Sequence, residues 1–79
     1  MSPTIFRHRN YRFFFFFREE PRLHVHLISP DGEAKFWIDP EVEVAANKGL
    51  KPPAINELQE IIKERQDEFR EHWHRHFQS

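Results

Sequence analysis

The sequence predicts an α+β domain in which an antiparallel sheet of three to four strands packs on one long C-terminal helix. Short aromatic and β-branched segments, separated by Pro, Gly and Asp, occupy the first half of the chain, a pattern typical of strands and turns. From Pro52 onward the apolar residues follow a helical spacing instead. Because 79 residues enclose one modest core, we expect a single domain over residues 1–79.

The strands are predicted to lie within residues 4–46. The segments that fit a pleated surface best are residues 11–18, 23–28 and 33–39. Residues 42–46 are expected either as a short fourth strand or as an irregular edge. Between the second and third segments, residues 29–32 are Ser, Pro, Asp and Gly, the residue types that supply turn geometry.

The C-terminal helix is predicted to run from about residue 53 to residue 77. Apolar residues recur there three, four or seven positions apart with charged residues between them, which indicates an amphipathic helix. Proline is favoured at the first helical position, so Pro52 or Pro53 marks the start. The apolar positions are Ile55, Leu58, Ile62, Phe69, Trp73 and Phe77.

The composition excludes several functional classes. Twelve Lys and Arg against thirteen Asp and Glu give a net charge of -1, so only a local patch of the surface could attract nucleic acid. The lack of cysteine excludes disulfides, cysteine-based zinc sites and thiol catalysis, and it is typical of a reducing compartment. The five-residue Phe run is too short for a secretory signal, so we expect a cytoplasmic protein without membrane contact.

The residues flanking the turn predict a loop with an even number of residues. A three-residue loop would place His26 opposite Phe36 and would mix polar and apolar side chains on both faces. A loop of two or four residues instead pairs Leu27 with Phe36, Val25 with Ile38, His26 with Trp37 and His24 with Asp39. We therefore expect a dry face for the helix, made of Leu23, Val25, Leu27, Ala34, Phe36 and Ile38.

The opposite face of this hairpin is the candidate binding face. Its residues are His24, His26, Glu33, Lys35, Trp37 and Asp39. A plain solvated sheet face is the commoner origin of such a polar set, whereas a large aromatic side chain beside titratable groups favours a contact surface. Both histidines are expected to point away from the core, so their replacement is expected to leave folding nearly intact.

The Phe run indicates an interface. Phe14 and Phe16 point away from their three neighbours in the run, and one helix cannot cover both faces of a sheet. Either this strand is central and covered on both sides, or Phe14 and Phe16 contact a second copy or a partner protein. We favour the contact.

Two kinds of chemistry fit the candidate face. In an RNA-cleaving site, His24 and His26 would act as acid and base, Lys35 with Arg18 or Arg22 would hold the phosphate, and the indole would stack on a base. The two carboxylates of the face would repel that phosphate.

A metal site would use the two histidines with Asp39 as a third ligand. A spacing of two is a weak signal for such a site, so no metal and no other cofactor is expected.

Four stretches of the chain resemble the motifs of a known family. They are PTIFR at residues 3–7, YRFFF at 11–15, RLHVH at 22–26 and EAKFW at 33–37. As a set they resemble the small bacterial proteins grouped as domain of unknown function family 4160, which end in a long helix. The pair Arg22-Leu23 departs from the proline pair that usually precedes the first histidine.

The resemblance implies a function only by analogy. Members of the family are often encoded beside another small protein, an arrangement similar to a toxin–antitoxin pair. It therefore implies a non-enzymatic protein-interaction component that binds a partner protein or forms a homodimer. An RNA-cleaving toxin is the alternative, with RNA in place of the protein partner.

Overall fold

The structure, a computed structural model, describes residues 4–15 and 22–78 and shows there an antiparallel five-stranded sheet in sequential order with two helices. The strands are β1 (Thr4–His8), β2 (Tyr11–Phe14), β3 (His24–Ser29), β4 (Gly32–Trp37) and β5 (Glu43–Lys48). The helices are α1 (Pro52–Glu64) and α2 (Gln66–Gln78). The α+β class is confirmed, and the prediction of three to four strands and one helix is corrected to five strands and two helices.

The strand that the prediction missed is β1, which forms a hairpin with β2. A bulge between Thr4 and Phe6 interrupts its alternation of apolar and polar side chains, so the period of two is hidden in the sequence. Arg9 lies in the turn of this hairpin and has a positive φ of 53°. At the other edge, β5 extends to Lys48, two residues beyond the expected limit.

The predicted single helix is interrupted at Arg65, between α1 and α2. The Arg65 N–H donates to the carbonyl oxygens of both Ile61 and Ile62, at 3.2 and 3.1 Å, and its backbone leaves the helical region. Its guanidinium carbon lies 4.5 Å from the centroid of the Phe6 ring in β1. Ile62 and Phe69 are seven residues apart, which suits one continuous helix, so the sequence conceals the interruption.

The core lies between the helices and one face of the sheet. Phe13 and Phe15 are buried there, and Phe13 stacks on Phe69 of α2 with ring centroids 5.9 Å apart. The predicted dry face is confirmed, because each of its six side chains is at most 5% exposed. The other buried apolar residues of the described ranges are Val42, Leu50, Leu58, Ile62 and Trp73.

The β3–β4 hairpin is closed by Pro30 and Asp31 alone, so the predicted even loop is confirmed. The Ser29 hydroxyl donates to the Gly32 carbonyl oxygen and accepts from the Asp31 N–H, both at 3.2 Å. The observed residue pairs of β3 with β4 are shifted by two positions from the predicted pairs. The observed pairs are His24 with Trp37, Val25 with Phe36, His26 with Lys35, Leu27 with Ala34 and Ile28 with Glu33. A shift of two keeps every side chain on its predicted face.

Gly32 is the point where the β3–β4 turn lies closest to β5. A Cβ atom at this position would collide with the carbonyl oxygen of Lys48, a backbone atom that cannot rotate away. Gly49, which follows Lys48, has a φ of 93° that side chains rarely tolerate. The turn and the end of β5 therefore pack backbone against backbone.

We expect Gly32→Ala to lower the free energy of unfolding by about 1–3 kcal/mol, because backbone atoms must move to admit the methyl group. Glu33→Ala, at the exposed neighbouring position, is the control and is expected to change stability by less than about 0.5 kcal/mol. Urea denaturation followed by circular dichroism measures both variants. Equal stability of the Gly32→Ala and Glu33→Ala variants would show that β5 does not approach the turn so closely.

Candidate functional site

The sheet face opposite the helices, here called the open face, arranges its side chains in rows across the strands. Residues directly opposite each other in an antiparallel ladder point to the same side, so the register defines each row. The first row is Arg7, Arg12, Ile28, Glu33 and Lys48. The second row is Phe14, His26, Lys35 and Ala46, and the third row is His24, Trp37 and Glu43.

Four rings of the second and third rows contact one another across β2, β3 and β4. The Phe14 ring stacks on His26, with centroids 5.7 Å apart and planes inclined by 19°. His26 meets His24 at 5.3 Å, and His24 meets Trp37 at 5.8 Å, both in edge-to-face geometry. Ring pairs of this kind contribute about 0.5–1.5 kcal/mol beyond the area that they bury, so the rings fix one another in position.

Cationic side chains lie over two of these rings. The Arg22 guanidinium carbon and the Lys35 Nζ are 4.5 and 4.6 Å from the Trp37 ring centroid, and the Arg12 guanidinium carbon is 5.3 Å from that of Phe14. Arg22 Nε also donates a 2.9 Å hydrogen bond to the carbonyl oxygen of residue 39. A cation over a ring face gains about 0.5–1 kcal/mol at an exposed site. The rings thus restrain the positions of the charges on this surface.

The burial of His24 contradicts the expectation that it faces solvent together with His26. His24 is fully buried, because the Trp73 ring of α2 lies 5.3 Å from the imidazole and closes this end of the sheet. The Nδ1–H donates a 2.7 Å hydrogen bond to the Arg22 carbonyl oxygen, an acceptor that assigns the proton to Nδ1. His24 is therefore a packed structural residue, whereas His26 is partly exposed.

Asp39 was predicted to lie opposite His24, and this pairing is wrong. Trp37 pairs with His24, and Asp39 lies after the end of β4. The Asp39 carboxylate accepts a 2.7 Å hydrogen bond from Arg70 Nε, and this bond raises the pKa of Arg70 above its ordinary value. The histidines and Asp39 therefore do not form the metal site considered above. Among the side chains that the structure describes, no three His, Asp or Glu residues lie close enough together to hold a metal ion.

The remaining predicted site residues divide between the open face and the ranges without a described structure. Glu33 is exposed in the first row, and Phe14 and Lys35 are half-buried in the second. Phe16 and Arg18, predicted for an interface and for an anion, lie outside the described residues.

Sequence reasoning did not place Arg7, Arg12 and Lys48 on the candidate surface. Their positions depend on the pairing of β1 with β2 and of β4 with β5, which alternation within one strand does not reveal. For Arg12 a signal was available, because a residue two positions before Phe14 in a strand points to the same side as Phe14.

A groove of about 300 Å³ lies on the open face beside β5. The side chains of this face that line it belong to Phe14, His26, Ile28, Glu33, Lys35, Ala46 and Lys48. Ala46, which pairs with Lys35, contributes only a methyl group to this lining. Ile28 is 40% exposed, so an apolar side chain stands among the cations of this surface.

The fold and this surface define a small α+β domain with a cation-bearing sheet face. Residues 10–74 match the family described as Domain of unknown function (DUF4160), and the match covers most of the chain. The chain therefore belongs to that family, and the resemblance of its motifs is confirmed. No curated protein and no solved structure matches it. Neither helix of the described ranges is long and apolar enough to cross a lipid bilayer.

We expect His24→Ala to lower the free energy of unfolding by about 2–4 kcal/mol, because it leaves a cavity beside Trp73 and removes the hydrogen bond to the Arg22 carbonyl oxygen. His26→Ala is the matched control on the same strand, with an expected loss of about 1 kcal/mol. Urea titrations of both variants and the wild type measure these losses in the free energy of unfolding. Similar losses in the two variants would place His24 outside the core.

Proposed function

We propose that this chain is a non-enzymatic protein-interaction component of a toxin–antitoxin-like pair, that it acts in the cytoplasm, and that the open face is its contact surface. The observation that carries the proposal is the set of cations held on aromatic rings on the same face as the exposed Ile28, which lies next to Arg12. Protein interfaces are enriched in arginine and aromatic side chains around an apolar centre. The pairing with a second protein follows from the family resemblance.

The open face supports docking better than the edges of the sheet do. The edge strand β1 has a bulge between Thr4 and Phe6, and the ladder of β4 with the other edge strand is irregular between Lys35 and Phe36. Such irregularities twist an edge and disrupt the row of backbone groups with which an additional strand would pair. We therefore expect a partner, or a second copy in a homodimer, to lie against the face.

RNA cleavage is the second candidate function, and the pairing of His26 with Lys35 across β3 and β4 favours it. An imidazole can transfer a proton while a neighbouring ammonium group stabilises the phosphate. The two-histidine mechanism also needs His24 at the surface, and that imidazole is fully buried. Binding without catalysis is therefore the preferred function.

We expect no cleavage when the purified protein is incubated with mixed-sequence single-stranded RNA, with or without EDTA. The His26→Ala variant is run beside the wild type, and a circular dichroism spectrum establishes that each sample is folded. Cleavage that resists EDTA and is lost in His26→Ala would replace the binding proposal with the RNA-cleaving toxin.

We expect Ile28→Glu to weaken binding of the co-encoded partner protein at least about tenfold, because it replaces the exposed apolar side chain of the contact surface with a carboxylate. Val44→Glu is the matched control: Val44 is 41% exposed against 40% for Ile28, and it pairs with Phe36 of the dry face. Co-expression followed by calorimetric titration measures the affinity of both variants for the partner protein. Analytical sedimentation of the wild type tests whether the protein forms a homodimer. Equal losses in the two variants would remove the open face as the contact surface.

A further inference from the structure

We infer that Arg7 and Arg12 together bind a carboxylate of an acidic peptide segment, whose apolar side chain packs on the neighbouring Ile28. The inference rests on the proposed function and specifies the chemistry of the partner.

Arg7 and Arg12 lie directly opposite each other in the β1–β2 hairpin. Like charges in this arrangement destabilise a sheet. Neither guanidinium forms an ion pair with a carboxylate of the described residues. Among the arginines whose structure is described, four others do have a carboxylate oxygen within 3.4 Å: Arg9, Arg65, Arg70 and Arg75. The fold thus keeps two adjacent positive charges without an internal counter-charge, and an external anion would relieve their repulsion.

Arg12 is restrained in a way that suits a carboxylate. Its guanidinium lies over the Phe14 ring, and its Nε is buried with no hydrogen-bond partner in the described ranges. A ligand therefore meets this guanidinium through its two terminal nitrogen atoms. A carboxylate can accept two parallel N–H bonds from such a group, and the ring restraint reduces the entropy that is lost on binding.

The first row favours a peptide over a nucleic acid. Ile28 lies next to Arg12, and Glu33 follows on the far side of Ile28. A phosphate backbone crossing this row would meet the repulsive carboxylate after one residue. A peptide can place a carboxylate at the arginines, an aliphatic side chain on Ile28 and a neutral residue beside Glu33.

The contacts of the rings support the same choice. Single-stranded nucleic acids bind sheets by stacking bases on exposed aromatic faces. On the open face, Phe14 is stacked on His26 and lies under Arg12, and Trp37 lies under two cations. Cations or another ring already cover these ring faces, which leaves them less available for stacking with bases.

The probe for the test is a short fluorescein-labelled peptide of alternating Glu and Leu, measured by fluorescence anisotropy. A Gln-for-Glu peptide and an oligouridylate of equal charge are the comparison ligands. We expect the acidic peptide to bind the wild type at least about tenfold more tightly than either comparison ligand, and to weaken as salt is added.

Arg7→Thr is the principal variant, because Arg7 is exposed and threonine suits a strand. We expect it to weaken binding of the acidic peptide about tenfold and to raise the melting temperature by about 1–5 °C, since it removes the like-charge pair. A purely structural role for Arg7 would not combine weaker binding with higher stability.

Two further variants complete the experiment. Arg75→Thr removes the same charge from α2, where Arg75 pairs with Glu71, and is expected to leave peptide binding unchanged. Arg12→Lys keeps the charge but not the planar pair of donors, and is expected to weaken binding about threefold to tenfold.

Three results would overturn the inference. They are tighter binding of the oligouridylate than of the acidic peptide, no binding of the acidic peptide by the folded wild type, and equal weakening by Arg7→Thr and Arg75→Thr. None of these results affects the proposed function if Ile28→Glu still releases the protein partner while Val44→Glu does not. The two proposals therefore fail separately.

Discussion

The two-residue turn at Pro30 and Asp31 decides which side chains share a face of the sheet, and the rest of the structure depends on that assignment. A slip of one position between β3 and β4 would turn Lys35 and its polar neighbours toward the helices, and burying an unpaired charge costs several kcal/mol. The turn also fixes the next strand, because Gly32 packs backbone to backbone against β5. The dry face and the open face are two results of this one constraint.

The interruption at Arg65 divides the helical layer into two parts that contact different regions of the sheet. Leu58 and Ile62 of α1 are buried in the core, while α2 brings Phe69 to Phe13 and Trp73 to Phe15 and His24. Because α2 reaches the end of the sheet where β3 begins, its Trp73 buries His24, although the register places His24 on the open face. The same helix anchors the segment after β4 through Gln66 and Arg70, which hold it at two points.

The open face departs from the arrangement that would maximise stability. Two arginines lie opposite each other, although hydrophobic or oppositely charged pairs would suit a sheet better. Proteins most often break such local rules where the surface has a task other than folding. The arrangement is understandable if these charges meet an acidic partner, since the binding free energy then offsets the repulsion within the free protein.

The sequence by itself determined the α+β class, the even loop, the six residues of the dry face and membership of the family. The first three follow from alternation, helical spacing and turn residues, all of which are expressed by neighbours in the chain, and the membership follows from the family's motifs. Only the tertiary structure decided the pairing of β1 through its bulge, the break at Arg65, the burial of His24 and the juxtaposition of Arg7 with Arg12. The physical reason is that the bulge hides the period of β1, and with it the position of Arg7 opposite Arg12. The burial of His24 by Trp73 and the contact of Arg65 with Phe6 depend on which distant segments pack together, and local periodicity carries no information about such contacts.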